Sequence, residues 1–337
     1  MTTVACRASD GTTCVAHTRA YRDGKLVEEG FDVALVSDHL EVEGTVVWLD
    51  LLQPTQEDLG VLVEEFGLHP LAVEDATHEH QRAKLDKYDD HLFLSSYVAR
   101  LDPKTAELAV HEVGAFITPR ALVTIRKSEG LAIEPLLERW DNDKKLAGSG
   151  VPYLLHGLLD LLVDGHFQAV QVLDEQLDAL EEVLFDEQPR SRELQRRSFE
   201  VRKSLVLLRR VVLPMREVVN ALLRRDLGVV DEATQPYYQD VYDHVLRATE
   251  WTESLRDLVS TILETNLTLQ GNRLNETMRK LTAWAAILAV TTAVTGFYGQ
   301  NVPYPGFEQE WGFVASLVLL FGISGGLYVT FKRRGWL

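Results

Sequence analysis

The sequence predicts a cytosolic α/β domain, a region of long stalk helices after it, and two transmembrane helices at the C-terminal end. Three observations lead there. Leu281 to Phe307 and Trp311 to Phe331 contain no Asp, Glu, Lys or Arg, while the longest such run elsewhere, Leu146 to Leu159, is interrupted by Gly148, Gly150 and Pro152. A membrane-crossing helix needs about 20 predominantly apolar residues, which these two windows supply. Up to about Gly150 the hydrophobic pattern changes every few residues, as in a compact α/β domain, and after Pro152 only helical periodicity is left. The expected division is 1–150 for the α/β domain, 151–270 for the helical stalk and 271–337 for the transmembrane hairpin, with spans at about 281–298 and 311–331.

Within the first region, Val46 to Leu51 (VVWLDL) reads as a buried strand. Thr55 followed by Asp58 has the spacing of an N-terminal cap for a helix running through Phe66. His91 to Leu101, Glu107 to Ile117 and Ala121 to Lys127 read as strands, with Pro119-Arg120 turning the chain between the last two. The segment LDKYDDH, Leu85 to His91, reads as surface charge. Gly148 to Pro152 (GSGVP) marks the boundary. Beyond it, Tyr153 to about Glu187 is one amphipathic helix, Gln188-Pro189 breaks it, and Ser191 to about Arg225 is a second.

From Tyr237 to Tyr298 no proline interrupts the pattern, which at about 1.5 Å per residue describes a rod on the order of 90 Å. Leu267, Leu274 and Leu281 recur every seven residues, as do Leu255, Ile262 and Leu269. Such spacing suits helices of neighbouring subunits around an axis, or packing on the two preceding helices. The two readings can hold on different faces.

Composition narrows the function. The 337 residues carry 34 Lys+Arg against 51 Asp+Glu, a formal charge of -17, with a pI near 5.0. Nonspecific nucleic-acid binding needs a basic face that releases counterions, so no nucleic-acid partner is expected. An acidic protein suits the handling of cations. Cys6 and Cys14 are too few for a disulfide framework. The first residues, MTTVACRASDGTTCV, lack the basic start and apolar run of a cleaved secretory signal. Arg273, Arg279 and Lys280 precede the first span and Lys332, Arg333 and Arg334 follow the second, while Gly299 to Glu310 carries no Lys or Arg. By the positive-inside rule both termini are cytoplasmic and only the short loop lies outside.

The first span ends in Tyr298-Gly299-Gln300-Asn301, a short loop follows, and after the second span stands Lys332-Arg333-Arg334-Gly335-Trp336-Leu337. This pattern resembles the CorA family of divalent-cation channels, whose signature is Gly-Met-Asn at the outer end of the first of two C-terminal spans. The resemblance extends to Pro236–His244 (PYYQDVYDH) and Val73–Lys84 (VEDATHEHQRAK), and so covers most of the chain from about Val46 onward. Gln300 stands where the family has methionine, which leaves the choice of metal open.

The resemblance implies a homopentameric funnel in the inner membrane and no enzymatic activity. Gly299, Gln300 and Asn301 would form the selectivity filter. The pore would be lined by Asn275, Met278, Leu281, Ala289, Thr292 and Gly296, with Met278 and Leu281 as an apolar constriction that gates by dewetting. The family also uses intracellular Mg2+ as a regulatory ion, held by carboxylates of adjacent subunits. Motif matches place these roles on Asp75 and Asp240, with Glu74 and Asp160 as second-site partners. The implied cargo is Mg2+, with Co2+ or Ni2+ as further ions, and no organic cofactor. Three rival readings stand beside it. One is a CorA-like zinc transporter, proton-coupled or not. Another is a membrane-anchored metallohydrolase using His69, Glu74, Asp75, His78 and His80. The third is a coiled-coil scaffold with a membrane hairpin.

Overall fold

The computed structural model describes residues 4–5, 14–77, 82–142, 147–185, 191–224 and 227–337. Two compact units divide between Ile262 and Leu263.

The first unit is built on strands β1 (Val4–Ala5), β2 (Val15–Arg22), β3 (Lys25–Glu29), β4 (Thr45–Leu52), β5 (Lys84–Lys87), β6 (Leu92–Leu101), β7 (Leu108–Ile117) and β8 (Ala121–Arg126). They form one sheet in the order β1-β2-β4-β8-β7-β6-β5, with β3 paired to β2. The β4–β8 pair is parallel and the other pairs are antiparallel. Helices α1 (Val36–Glu41), α2 (Gln56–Phe66), α3 (Pro70–Thr77) and α4 (Glu134–Asn142) lie between or after the strands. Three long helices follow: α5 (Val151–Leu184), α6 (Ser191–Leu223) and α7 (Gln235–Tyr298). The expected break at Gln188-Pro189 lies outside the described residues.

The sheet is covered on both faces, which explains why VVWLDL is almost continuously apolar rather than alternating. Successive strand residues point to opposite faces. Leu49 and Leu51 accordingly join a cluster with Leu59 and Leu62 of α2 and Ala72 of α3. Trp48, on the other face of the strand, joins a larger cluster with Trp140 of α4, Leu155 and Leu158 of α5, Val218 and Leu222 of α6, and Tyr238 of α7. Thr55 and Asp58 form a complete capping box at the start of α2, as expected, and Gly67 closes that helix at φ 63°.

A buried polar network ties β4 to β8. The Arg126 guanidinium donates from Nε at 3.0 Å and from Nη2 at 2.6 Å to Asp50, and from Nη1 to the Leu131 carbonyl at 3.0 Å. Thr124 Oγ1 donates to Asp50 Oδ1 and accepts from Trp48 Nε1. Each charge is paired and hydrogen-bonded, the condition under which a buried ion pair is tolerated.

The charged LDKYDDH segment also has a structural role. It contributes to β5, an edge strand whose Lys84 and Asp86 project on one side. Charged residues on a short edge strand discourage pairing with another chain, so a segment of surface charge is also what an edge strand requires.

In α7 the PYYQDVYDH motif supplies the anchor. Tyr238 is fully buried, and its hydroxyl donates to the Pro152 carbonyl at 2.8 Å, at the start of α5. Burial pushes its pKa well above the ordinary tyrosine value. Tyr238, Val241, Val245, Ala248, Leu255, Val259 and Ile262 form the buried stripe of this helix, at the spacings of a core-facing helix. Asp240 and Asp243, off the stripe, are exposed.

The second unit holds the remainder of α7, a loop, and α8 (Glu310–Arg333). Both α7 and α8 contain stretches long and apolar enough to cross a membrane, and very few of their residues are fully buried within the protein. Phe313, Val318 and Phe321 of α8 are among the exposed apolar side chains. A helix so apolar without a protein cover suits hydrocarbon, where its backbone bonds are satisfied internally.

Candidate functional site

At 100° per residue, Asn275, Met278, Leu281, Ala289, Thr292 and Gly296 fall within roughly 120° of the α7 circumference. All six are exposed. Between Leu281 and Tyr298 the shielded positions are Ala283, Ala286, Ile287, Val290, Thr291, Val294 and Tyr298, and these lie on the opposite side. That shielded side meets α8: Thr291 Oγ1 stands 3.4 Å from Ser324 Oγ, and the Trp284 and Tyr328 rings are 6.4 Å apart. Within the hairpin, α8 covers one face of α7 and leaves the candidate pore face open.

The hydroxyls along this helix have a fixed polarity. Thr292 Oγ1 donates to the Leu288 carbonyl at 2.9 Å, and Thr282 and Thr295 donate to Met278 and Thr291 at 2.8 and 3.0 Å. With the proton committed to the helix, Thr292 presents acceptor lone pairs. The waters around a cation point their hydrogens outward, so an acceptor surface is the complement of a hydrated ion.

At its C-terminal end α7 stops in a turn packed by aromatic side chains. Tyr304 Oη donates to the Tyr298 carbonyl at 3.1 Å, and its ring packs edge-on against Tyr298 and Phe307. The Gly299 N–H reaches the Thr295 carbonyl at 2.9 Å, and a Cβ at position 299 would stand 3.0 Å from that oxygen. A side chain at this position would therefore sit tightly against the last turn of the helix. Gly299, Gln300 and Asn301 are all exposed.

The heptad residues separate by burial, with Leu269 half-buried between the extremes. Leu255 and Ile262 are 2% and 3% exposed, buried within their own chain, whereas Leu267, Leu274 and Leu281 are 62–64% exposed. The first pair belongs to the intramolecular core. The second set is an apolar row with no cover inside the chain.

Each of three expected regulatory carboxylates has its own neighbour. Asp75 Oδ2, near the end of α3, lies 2.6 Å from Lys84 Nζ, and Lys84 also reaches Asp86 at 2.7 Å. Burial opposes the Lys84 charge, but the hydrogen bonds to the two carboxylates outweigh it and hold the ammonium above its ordinary pKa. Asp240 is largely exposed, 3.6 Å from His244 Nδ1 one turn on. Asp160, on α5, pairs with Arg139 of α4, whose other terminal nitrogen pairs with Asp164. Burial lifts the Asp160 carboxyl above its ordinary range against the pull of Arg139. Glu74 is exposed on α3. Among the described residues no three His, Cys, Asp or Glu side chains are gathered as a metal site. His69 Nδ1 accepts from the Leu71 N–H at 3.2 Å and its ring stacks on Tyr88, so it serves the start of α3. His78 and His80 lie outside the described residues.

The profile of the family described as "CorA-like Mg2+ transporter protein" matches residues 43–333. The chain belongs to the CorA family. It is 31% identical over 296 residues to the cobalt/magnesium transport protein CorA of Thermotoga maritima, covering 87% of this chain and 84% of that protein. It is 25% identical to the zinc transport protein ZntB of Pectobacterium carotovorum, over 67% of this chain and 68% of the relative. The solved structure of the CorA magnesium transporter from Methanocaldococcus jannaschii superposes with a TM-score of 0.75 at 22% identity, covering 96% of this chain and 98% of that one. This likeness carries the α/β domain, long helices and C-terminal pair together. Within this CorA chain, sequence reasoning missed the Lys84 and Arg139 partners. Lys84 is visible in the sequence only as a charged residue nine positions from Asp75, and nothing local joins an edge strand to a helix end.

Proposed function

We propose that the chain is a channel for divalent cations, Mg2+ first, with Co2+ or Ni2+ as further cargo, assembled as a homopentamer in the inner membrane. Both termini lie on the cytoplasmic side, in keeping with the basic residues flanking the spans. The carrying observation is the geometry of α7: the face opposite its α8 contact is open over its whole length and ends at Gly299-Gln300-Asn301. Five such faces around an axis make a pore, and the uncovered row Leu267, Leu274 and Leu281 supplies apolar contacts for that assembly.

Mg2+ gives up its hydration shell reluctantly. A pore that accepts the hydrated ion avoids that desolvation cost, and rings of Asn301 at the mouth and Thr292 within offer amide and hydroxyl oxygens to shell water. Asn275 rings the inner end. No chemical fuel is needed: the membrane potential contributes roughly 2.3 kcal/mol per charge per 100 mV, and about twice that for a divalent ion. Cytosolic Mg2+ acts as the closing ligand at Asp75 and Asp240 across subunit boundaries, flanked by Glu74. Asp160, the fourth carboxylate of the proposed set, joins only when Arg139 releases it.

Flux of Mg2+, Co2+, Ni2+ and Zn2+ into liposomes, with and without a pH gradient, tests this reading. Mg2+ entry driven by potential alone is expected. Zn2+ entry that needs the pH gradient would instead favour the zinc-transport reading, to which the ZntB relative lends weight, and no flux of any divalent would overturn both.

The gate yields a separate expectation. Met278 and Leu281 are 55% and 62% exposed on the open face, where apolar side chains can narrow and dewet a pore. Leu281→Gly or Met278→Gly should raise ion leak at high internal Mg2+ on the order of tenfold, because dewetting barriers fall steeply with radius and polarity. Wild-type closure in both variants would place the gate elsewhere.

A further inference from the structure

We propose that Lys84 is a built-in competitor for the divalent ion at Asp75, and that Asp86 is the site to which its ammonium withdraws when the ion binds. The inference rests on the reading of Asp75 as a regulatory ligand and adds what sets its threshold.

The geometry is that of a three-group switch. Lys84 Nζ lies 2.6 Å from Asp75 Oδ2 and 2.7 Å from Asp86 Oδ2. Asp75 comes from α3, whereas Lys84 and Asp86 stand two apart on β5 and share one side of the strand. All three side chains are partly shielded, between 28% and 38% exposed, so their mutual attraction is less screened than that of a fully exposed pair.

A hard divalent cation takes carboxylate oxygen at roughly 2.0–2.6 Å. Binding at Asp75 while an ammonium hydrogen-bonds the same carboxylate is disfavoured, because a divalent ion and a lysine charge would then repel within a few ångströms. Withdrawal of Lys84 relieves that repulsion, and its second partner lets it withdraw without becoming unpaired. Removing the lysine charge therefore favours the ion, and removing Asp86 favours the lysine.

The measurement is the Mg2+ concentration that half-protects the cytosolic region of the full-length protein from limited proteolysis. Lys84→Met should lower this midpoint by roughly fivefold, the upper end of what a partly exposed ion pair is worth. Asp86→Asn should raise it by a smaller factor. Arg82→Met is the control: it removes the same charge two residues away, from a pair with Glu217 at 2.8 Å, and should leave the midpoint within roughly twofold of the parent, as befits a surface pair. In an Asp75→Asn background, Lys84→Met should shift nothing further.

If Asp75→Asn itself leaves the midpoint unchanged, the regulatory reading of Asp75 falls and this inference with it. If Asp75→Asn shifts the midpoint but Lys84→Met does not, or Lys84→Met shifts it no more than Arg82→Met, the competitor is excluded and the regulatory reading stands.

Discussion

Asn301→Ala is expected to abolish Mg2+ uptake while leaving the fold and the assembly intact. Asn301 is exposed beyond the end of α7 and belongs to none of the buried clusters, so its truncation removes no packing. It does remove the amide oxygen and the two N–H donors that can hold shell water. A hydrogen bond is worth about 1 kcal/mol net. Five subunits acting on one hydrated ion would together lose about 5 kcal/mol, or three to four powers of ten in ion occupancy at the mouth. Uptake into liposomes should fall to the background of empty vesicles, while elution of the detergent-solubilised protein in size exclusion stays that of the parent. Normal flux through the variant would defeat the proposed filter.

Local chemistry explains which parts of this molecule could be read in the sequence. The Thr55–Asp58 cap and the run VVWLDL are decided by neighbours in the chain, and the structure has the cap and the buried strand β4 there. The apolar windows were equally legible, because the membrane demands length and lack of charge and little else. Strands β2 and β3 carry no such local signal. Val15–Arg22 mixes buried Ala16 and Ala20 with Arg19, whose guanidinium is buried where Tyr21, Glu29 and Asp141 receive it. Asp141 is far away in the chain, so no local pattern announces that burial. The same holds for the site: the periodicity of α7 reveals that two leucine rows exist, but burial within the fold separates Leu255 and Ile262 from Leu267, Leu274 and Leu281.

The double variant Asp75→Asn with Asp240→Asn should lose most of the Mg2+ dependence of protease resistance and show weaker Mg2+ inhibition of flux. In the proposed assembly these carboxylates face one another across subunits, and like charges repel until a divalent ion neutralises them. Ion binding to the closed form alone stabilises it by RT ln(1 + [L]/Kd), about 2.7 kcal/mol per site when Mg2+ is a hundredfold above Kd. Deleting both carboxylates removes that stabilisation, and also the repulsion that opens the ion-free form. The variant is therefore expected to be insensitive rather than locked open. Lys84 sharpens the expectation, since with Asp75 neutral its ammonium retains Asp86, 2.7 Å away, and no longer competes with the ion. The exposed position of Asp240 on α7, off the stripe anchored by Tyr238, means that Asp240→Asn costs no core packing, so a change in protease resistance without Mg2+ would report the lost repulsion. A titration giving the parent's midpoint and amplitude would exclude Asp75 and Asp240 as the principal sensor, whatever the fate of the filter.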